Sequence, residues 1–142
     1  GNGHAQVSAY GVFPTSDGEV VLAPANDGLF AKLLRVLERE DLLADARFAT
    51  NAARLEHRIE LDAIIAASTR ALPQAELIAR CAAAGIPAGP INAIDDVFAD
   101  PQTQARGMRV DLAGVPGVRS PFAFSDAELA LDRPSPGLGE HG

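Results

Sequence analysis

Two short apolar runs, Val7–Phe13 and Glu19–Ala23, bracket the stretch Pro14-Thr15-Ser16-Asp17-Gly18 near the start of the chain. Asp-Gly supplies the positive-φ position of a tight turn, so the two runs predict a β-hairpin. The pattern then changes period. Leu29, Phe30, Leu33, Leu34 and Leu37 recur every three or four residues, the spacing of one face of an amphipathic helix that Asn26 or Asp27 would cap. Leu33, Leu34 and Leu37 should be buried against the strands, because a helix of this length is marginal without packing. Asp41–Phe48 reads as a short helical turn. Thr50 introduces a longer helix with Leu55, Ile59, Ala63 and Ala66 along one stripe, and Pro73 suits the first turn of a further helix, Gln74–Ala84, that Gly85 stops.

Beyond Gly85 the helical period fades. Pro87-Ala88-Gly89-Pro90 forces an extended segment, with Ile91 continuing toward a strand. Asn92, with Asp95 three residues on, predicts a capped short helix, and Asp100-Pro101 predicts another that Gly107 ends. Met108–Leu112 and Val118–Phe124 read as strands around Gly114-Val115-Pro116-Gly117, a second hairpin. Leu131–Gly142, rich in proline and glycine, reads as a loop or linker. The fold class that follows is α+β, with short antiparallel β-hairpins at both ends around a helical middle.

Composition narrows the function classes. A compact chain of 142 residues buries roughly 70% of its unfolded surface, and 47% hydrophobic against 22% charged residues is not the balance of a disordered chain. No apolar run approaches the roughly 20 residues that cross a bilayer. The net charge of −7 disfavours nucleic acid or an anionic membrane as partner, since both attract clustered positive charge. A single cysteine, Cys81, makes no internal disulfide and is compatible with a reducing cytoplasm. One lysine, Lys32, against eleven arginines suggests a GC-rich bacterial genome.

Side chains with reactive chemistry are sparse. His4, His57 and His141 are far apart and lack the spacing of a zinc site, so solvated or hydrogen-bonded histidines are the simpler reading and no metal is expected. Cys81 lies among alanines on the predicted Gln74–Ala84 helix and reads as a small core residue. Arg54, Arg58 and Asp62 are spaced four apart and share a helix face, read as solvated with an Arg58–Asp62 pair rather than as a contact for phosphates. Gly137-x-Gly139 has no helix start behind it and carries no phosphate-loop signal.

Six short motifs, in order, carry a resemblance. They are Tyr10-Gly11-Val12-Phe13 with Asp17-Gly18; Asn26-Asp27 through Leu37; Asp45–Phe48 with Asn51 and Arg54; Gly85–Ile91; Asp100-Pro101-Gln102 with Ala105-Arg106-Gly107; and Pro136–His141. Together they resemble the C-terminal part of class III CoA-transferases, the family of formyl-CoA transferase, carnitine-CoA transferase and alpha-methylacyl-CoA racemase. The resemblance implies that residues 1–130 form the small domain of such an enzyme, with 131–142 a tail returning toward a large domain. Gly1-Asn2-Gly3-His4, with no Met, and Gly137-Leu138-Gly139-Glu140-His141-Gly142 both look like cut ends.

What the resemblance implies for chemistry is an acyl-CoA thioester as substrate, and no other cofactor within this chain. The transferases attack the thioester with an aspartate of the large domain, and the racemases exchange a proton through a histidine and an aspartate there. Nothing in this sequence matches the surroundings of those groups, so the isolated chain is expected to be inactive. Its implied role is to close over the acyl-CoA cleft in a cytoplasmic homodimer of interlocked subunits. A free-standing binding or oligomerisation module is the alternative. Asp27 resembles a racemase glutamate that reaches the active site from the small domain, which implies an accessory catalytic role with a reach one methylene shorter. The residues alone also leave Asn26 or Asp27 as a plain helix cap.

Overall fold

The computed structural model describes residues 3–140, and the chain divides into two compact units, Gly1–Ile91 and Asn92–Gly142. In the first, β1 (Gly11–Pro14) and β2 (Glu19–Leu22) form the expected hairpin, with Gly11 opposite Leu22 and Phe13 opposite Val20. The Thr15 N–H donates to the Gly18 carbonyl at 2.8 Å and closes the turn, but neither Asp17 nor Gly18 holds the positive φ that the Asp-Gly pair predicts. The first strand begins at Gly11 rather than Val7. Ala9, buried and at φ 61, turns the chain, and Ser8 is bonded to Asn51 and Arg54 instead of to a strand.

Helix α1 (Asp27–Val36) is capped by Asn26, whose Oδ1 accepts from the Leu29 N–H at 2.9 Å. Phe30, Leu33, Leu34 and Leu37 are buried, as their spacing predicts. A 3₁₀ turn over Glu40–Ala44 stands where Asp41–Phe48 predicts one helical turn. Thr50 then caps α2 (Asn51–Glu56), but the single long helix expected here breaks at His57 before α3 (Arg58–Thr69). The backbone N–H and ring Nδ1 of His57 both lie against the Ala53 carbonyl, at 3.1 and 2.9 Å, folding the ring back onto the helix end. The break resets the phase of the buried face. Ile59, assigned to the apolar stripe by its spacing, is 89% exposed, and the buried positions are Leu61, Ile65 and Thr69.

Pro73 is the residue before α4 (Gln74–Ala83) rather than part of its first turn, and the orphan Gln74 N–H is taken by Asp17 Oδ1 at 2.7 Å. Gly85, at φ 70, ends the helix, and the Ile86 N–H returns to the Cys81 carbonyl at 2.8 Å. The extended segment that follows becomes β3 (Ala88–Pro90). It pairs antiparallel with β2, giving the sheet order β1-β2-β3. Val20 and Leu22 of the sheet share one apolar cluster with the buried faces of α1, α3 and α4. The core of this unit is therefore a small sheet closed by helices.

In the second unit, α5 (Ile94–Ala99) starts after Ala93, not Asn92, with Asp96 Oδ2 accepting from the Ala93 N–H at 3.0 Å. Asp100 Oδ1 accepts from the Gln102 and Thr103 N–H groups and caps α6 (Pro101–Ala105), with Pro101 at the first helical position. Strands β4 (Arg109–Leu112) and β5 (Val115–Val118) form the second hairpin. Its turn is Ala113-Gly114, at φ 54 and 82, so β5 begins at Val115 and not at Val118. A two-residue turn with both φ values positive matches strand twist, which favours it over the longer loop that Gly117 suggests. Residues 119–140 hold neither helix nor strand. Among the described residues no helix is long and apolar enough to cross a membrane.

Candidate functional site

The only carboxylate that the sequence marks for chemistry, Asp27, stands at the first position of α1, with its side chain 68% exposed. Asn26 has already satisfied the cap, which leaves the Asp27 carboxylate for other partners. One of its oxygens is held by Arg54 Nη2 of α2. The Arg54 side chain is only 3% exposed, so a buried guanidinium reaches out to a surface carboxylate. A solvated Arg54 is the expectation that this overturns.

The burial of Arg54 has a local cause. Thr50 caps α2 through the Ala53 N–H, which fixes the helix start and sets Arg54 facing the core. Its Nη1 donates to the Phe48 carbonyl at 2.9 Å, and its guanidinium carbon lies 4.2 Å from the centre of the Phe30 ring. Such a cation over an aromatic face regains part of the solvation lost on burial. Its Nε has no partner among the described residues. From above, Ser8 Oγ donates to the Arg54 carbonyl, Asn51 Oδ1 accepts from the Ser8 N–H at 3.2 Å, and Asn51 Nδ2 donates to the Gln6 carbonyl at 2.8 Å. The arrangement fixes one oxygen of Asp27 and leaves the other to accept a hydrogen bond from solvent or a ligand.

The remaining candidates separate. His4 stacks on Tyr10 with ring centres 5.1 Å apart, and its Nδ1 accepts from the Gln6 N–H at 3.1 Å. His57 is tied to Ala53, and His141 lies outside the described residues. Among the described residues no three His, Cys, Asp or Glu side chains gather as a metal group. Cys81 is fully buried in the α4 face of the core, and burial pushes its thiol pKa up, away from thiolate chemistry. Arg58 and Asp62 pair at 3.6 Å as their spacing predicts. Burial pushes the Asp62 carboxyl above its ordinary range, and the attraction of Arg58 only partly opposes this. Gly137 donates its N–H to Glu140 Oε2 at 2.6 Å, closing the glycine-rich turn on its own carboxylate.

One feature gave no sequence signal. Within the second unit, α5, α6 and the hairpin enclose an open groove of about 610 Å³ whose lining includes Asp95, Phe98, Gln104, Arg109, Pro116 and Val118. These residues come from four elements, so no local spacing links them.

Comparison with known proteins supplies the family. The model of CoA-transferase family III matches residues 1–142. The chain is 46% identical to a succinate–glutarate CoA-transferase of Agrobacterium fabrum, over 99% of this chain and 36% of that protein. It is 31% identical to the human succinyl-CoA:glutarate CoA-transferase, over 99% of this chain and 33% of that protein. The crystal structure of a CAIB/BAIF family protein from Brucella suis superimposes with a TM-score of 0.87 at 48% identity, covering 100% of this chain and 38% of that one. The chain thus spans about a third of the length of the curated relatives it matches. With the family model matched from end to end, this chain belongs to CoA-transferase family III.

Proposed function

We propose that this chain serves as the small domain of an enzyme that moves CoA between dicarboxylic acids, with residues 1–130 closing over the acyl-CoA cleft and residues 131–142 a tail returning toward the large domain. The observation that carries the reading is the 46% identity to a succinate–glutarate CoA-transferase across 99% of the chain. The substrates are then the CoA thioester of one acid and the free form of another. The enzyme works as a cytoplasmic homodimer.

Within that enzyme the chain supplies shape and a fixed carboxylate rather than the nucleophile. Asp27, tethered by Arg54, has an accessory role: its second oxygen accepts a hydrogen bond near the reacting thioester or from a side chain that does the chemistry. A carboxylate held by a buried guanidinium needs little reordering when a donor arrives, which is the benefit of preorganisation.

A chimera tests the assignment. The 142 residues replace the matching third of the Agrobacterium enzyme, and CoA exchange between succinate and glutarate is measured. Retained exchange is the expected result. A chimera that folds like its parent yet transfers no CoA between dicarboxylates overturns the reading. In the active chimera, Asp27→Asn should lower kcat by about tenfold or more while leaving KM within about twofold, as for a group felt mainly in the transition state.

A further inference from the structure

The groove of the second unit has the composition of a site for an aliphatic acid. One wall is the outer face of the β4–β5 hairpin. Arg109 stands opposite Val118 in the pairing, and Pro116, two residues from Val118, shares that face. The other wall is α5, through Asp95 and Phe98, with Gln104 of α6 donating its amide N–H to the Phe98 carbonyl at 3.4 Å and the Ala99 carbonyl at 3.3 Å. Those bonds tie the Gln104 side chain to the end of α5.

Arg109 is the chemically informative residue. No carboxylate lies within salt-bridge distance of it among the described residues. Asp111, two residues along the same strand face, is committed to the turn, where its Oδ1 accepts from the Gly114 N–H at 2.8 Å. Asp95 lines the groove without bonding Arg109. An uncommitted guanidinium beside Phe98, Pro116 and Val118 matches a ligand with a short methylene chain and a terminal carboxylate. At about 610 Å³ the groove falls in the range of small-molecule sites and is large enough for such an acid.

We propose that this groove is a carboxylate-recognition site, in which Arg109 takes the free carboxylate of a dicarboxylic acid and Phe98, Pro116 and Val118 pack its methylenes. The proposal rests on the dicarboxylate reading above. A mono-thioester of a dicarboxylic acid keeps one free carboxylate, and this is the group that distinguishes it from a simple fatty acyl thioester. Arg109 then acts on acyl-group choice and takes no part in bond making. Asp95 opposes an anion, so its presence weakens binding.

Titration of the 142-residue chain with glutarate, followed by backbone amide shifts, tests this directly. Saturating shifts should concentrate at Phe98, Gly117 and Val118, with a roughly millimolar Kd for so small a ligand. Arg109→Gln should weaken glutarate about tenfold or more, and glutarate monoamide should bind no worse than glutarate if a single carboxylate is read. Asp95→Asn should tighten glutarate severalfold, an arm that stands even if Arg109→Gln perturbs the hairpin. Unchanged affinity in Arg109→Gln with an intact spectrum overturns the proposal. So does tighter binding of 5-aminopentanoate than of glutarate, lost in Asp95→Asn, which assigns the groove to an amino acid. Failure here with an active chimera moves dicarboxylate choice elsewhere, whereas an inactive chimera defeats the broader reading whatever this titration shows.

Discussion

At the scale of single residues, the pair Asp27–Arg54 is asymmetric, and the asymmetry predicts unequal mutants. Asp27 is mostly exposed, but among the described residues it is the only carboxylate paired with a guanidinium that has almost no access to water. Asp27→Asn leaves that buried charge with a neutral partner and should cost about 1–2 kcal/mol, more than its exposure alone suggests, read as a lower urea midpoint. Glu60→Gln removes a partner from an ion pair that is about half exposed on both sides and should change the midpoint little. Asp62 adds a pH dependence of known sign. Its folded pKa is raised by burial above its ordinary 3.8, so the folded state binds the proton more tightly and stability falls as pH rises through and above that value. Asp45 has the opposite sign, because hydrogen bonds from Arg47 hold its carboxyl low and its contribution is lost as acid is added. Urea midpoints of Asp62→Asn and Asp45→Asn, measured from pH 3 to 7, should therefore diverge from the parent in opposite directions. Parallel curves defeat the assignment. The sequence made Asn26 and Asp27 visible as cap and candidate, but Arg54 read as surface because an arginine at helical spacing is normally solvated. Its burial depends on Phe30 and Phe48, which come from other segments.

At the scale of elements, legibility follows the range of the interactions. Caps and stops that act within four residues, Thr50, Asp100 with Pro101, and Gly85, stand where local chemistry puts them. The α1 stripe is also local, and Leu34, fully buried, should cost about 2–5 kcal/mol as Leu34→Ala. What escaped the pattern is mostly longer range: Gln74 is capped by Asp17 from the first turn, and β3 completes a sheet begun near Glu19. The break at His57 is local, a ring folded onto the carbonyl four residues back, and the apolar spacing across it gave no sign of it. The second hairpin gives a further test. Ala113 holds φ 54, a conformation costing roughly 1 kcal/mol for a residue with a Cβ, and Ala113→Gly or Ala113→Asn should relieve it. Slower amide exchange across β4 and β5 by about threefold is the expected gain. Faster exchange in both variants shows that the turn is not the two-residue form.

At the scale of the whole molecule, the two units differ in how much they can support themselves. Gly1–Ile91 contains every fully buried apolar side chain among the described residues, including Val20, Leu22, Leu33, Leu61, Ile65 and Leu77. In residues 92–140 none reaches that state, and Ile94, Val118, Phe122 and Phe124 are each more than half exposed. Burial of apolar surface supplies most of the free energy that opposes chain entropy, so a unit of this size without a dry interior has little global stability of its own. Hydrogen exchange on the 142-residue chain should then show two classes. Amides of β2, α1 and the second half of α3 should exchange only through the main unfolding event. Those of β4 and β5 should exchange at least about a hundredfold faster, because a difference of some 3 kcal/mol in local opening is modest against a stability of 5–15 kcal/mol. The ten residues 131–140, all exposed and without strand or helix, should exchange fastest of all. In the same sample, acyl-CoA thioesters should undergo no CoA transfer, since the Asp27 carboxylate is held by Arg54 and the Cys81 thiol is buried with its pKa pushed up. A glutarate-bound sample offers the decisive contrast: if Arg109 closes on a carboxylate, protection should rise in β4 and β5 while β2 and α1 stay unchanged, because ligand binding stabilises only what opens with the site. Equal protection across both units before ligand is added contradicts this division of stability, and turnover by the isolated chain contradicts the assignment of the chemistry to residues outside it.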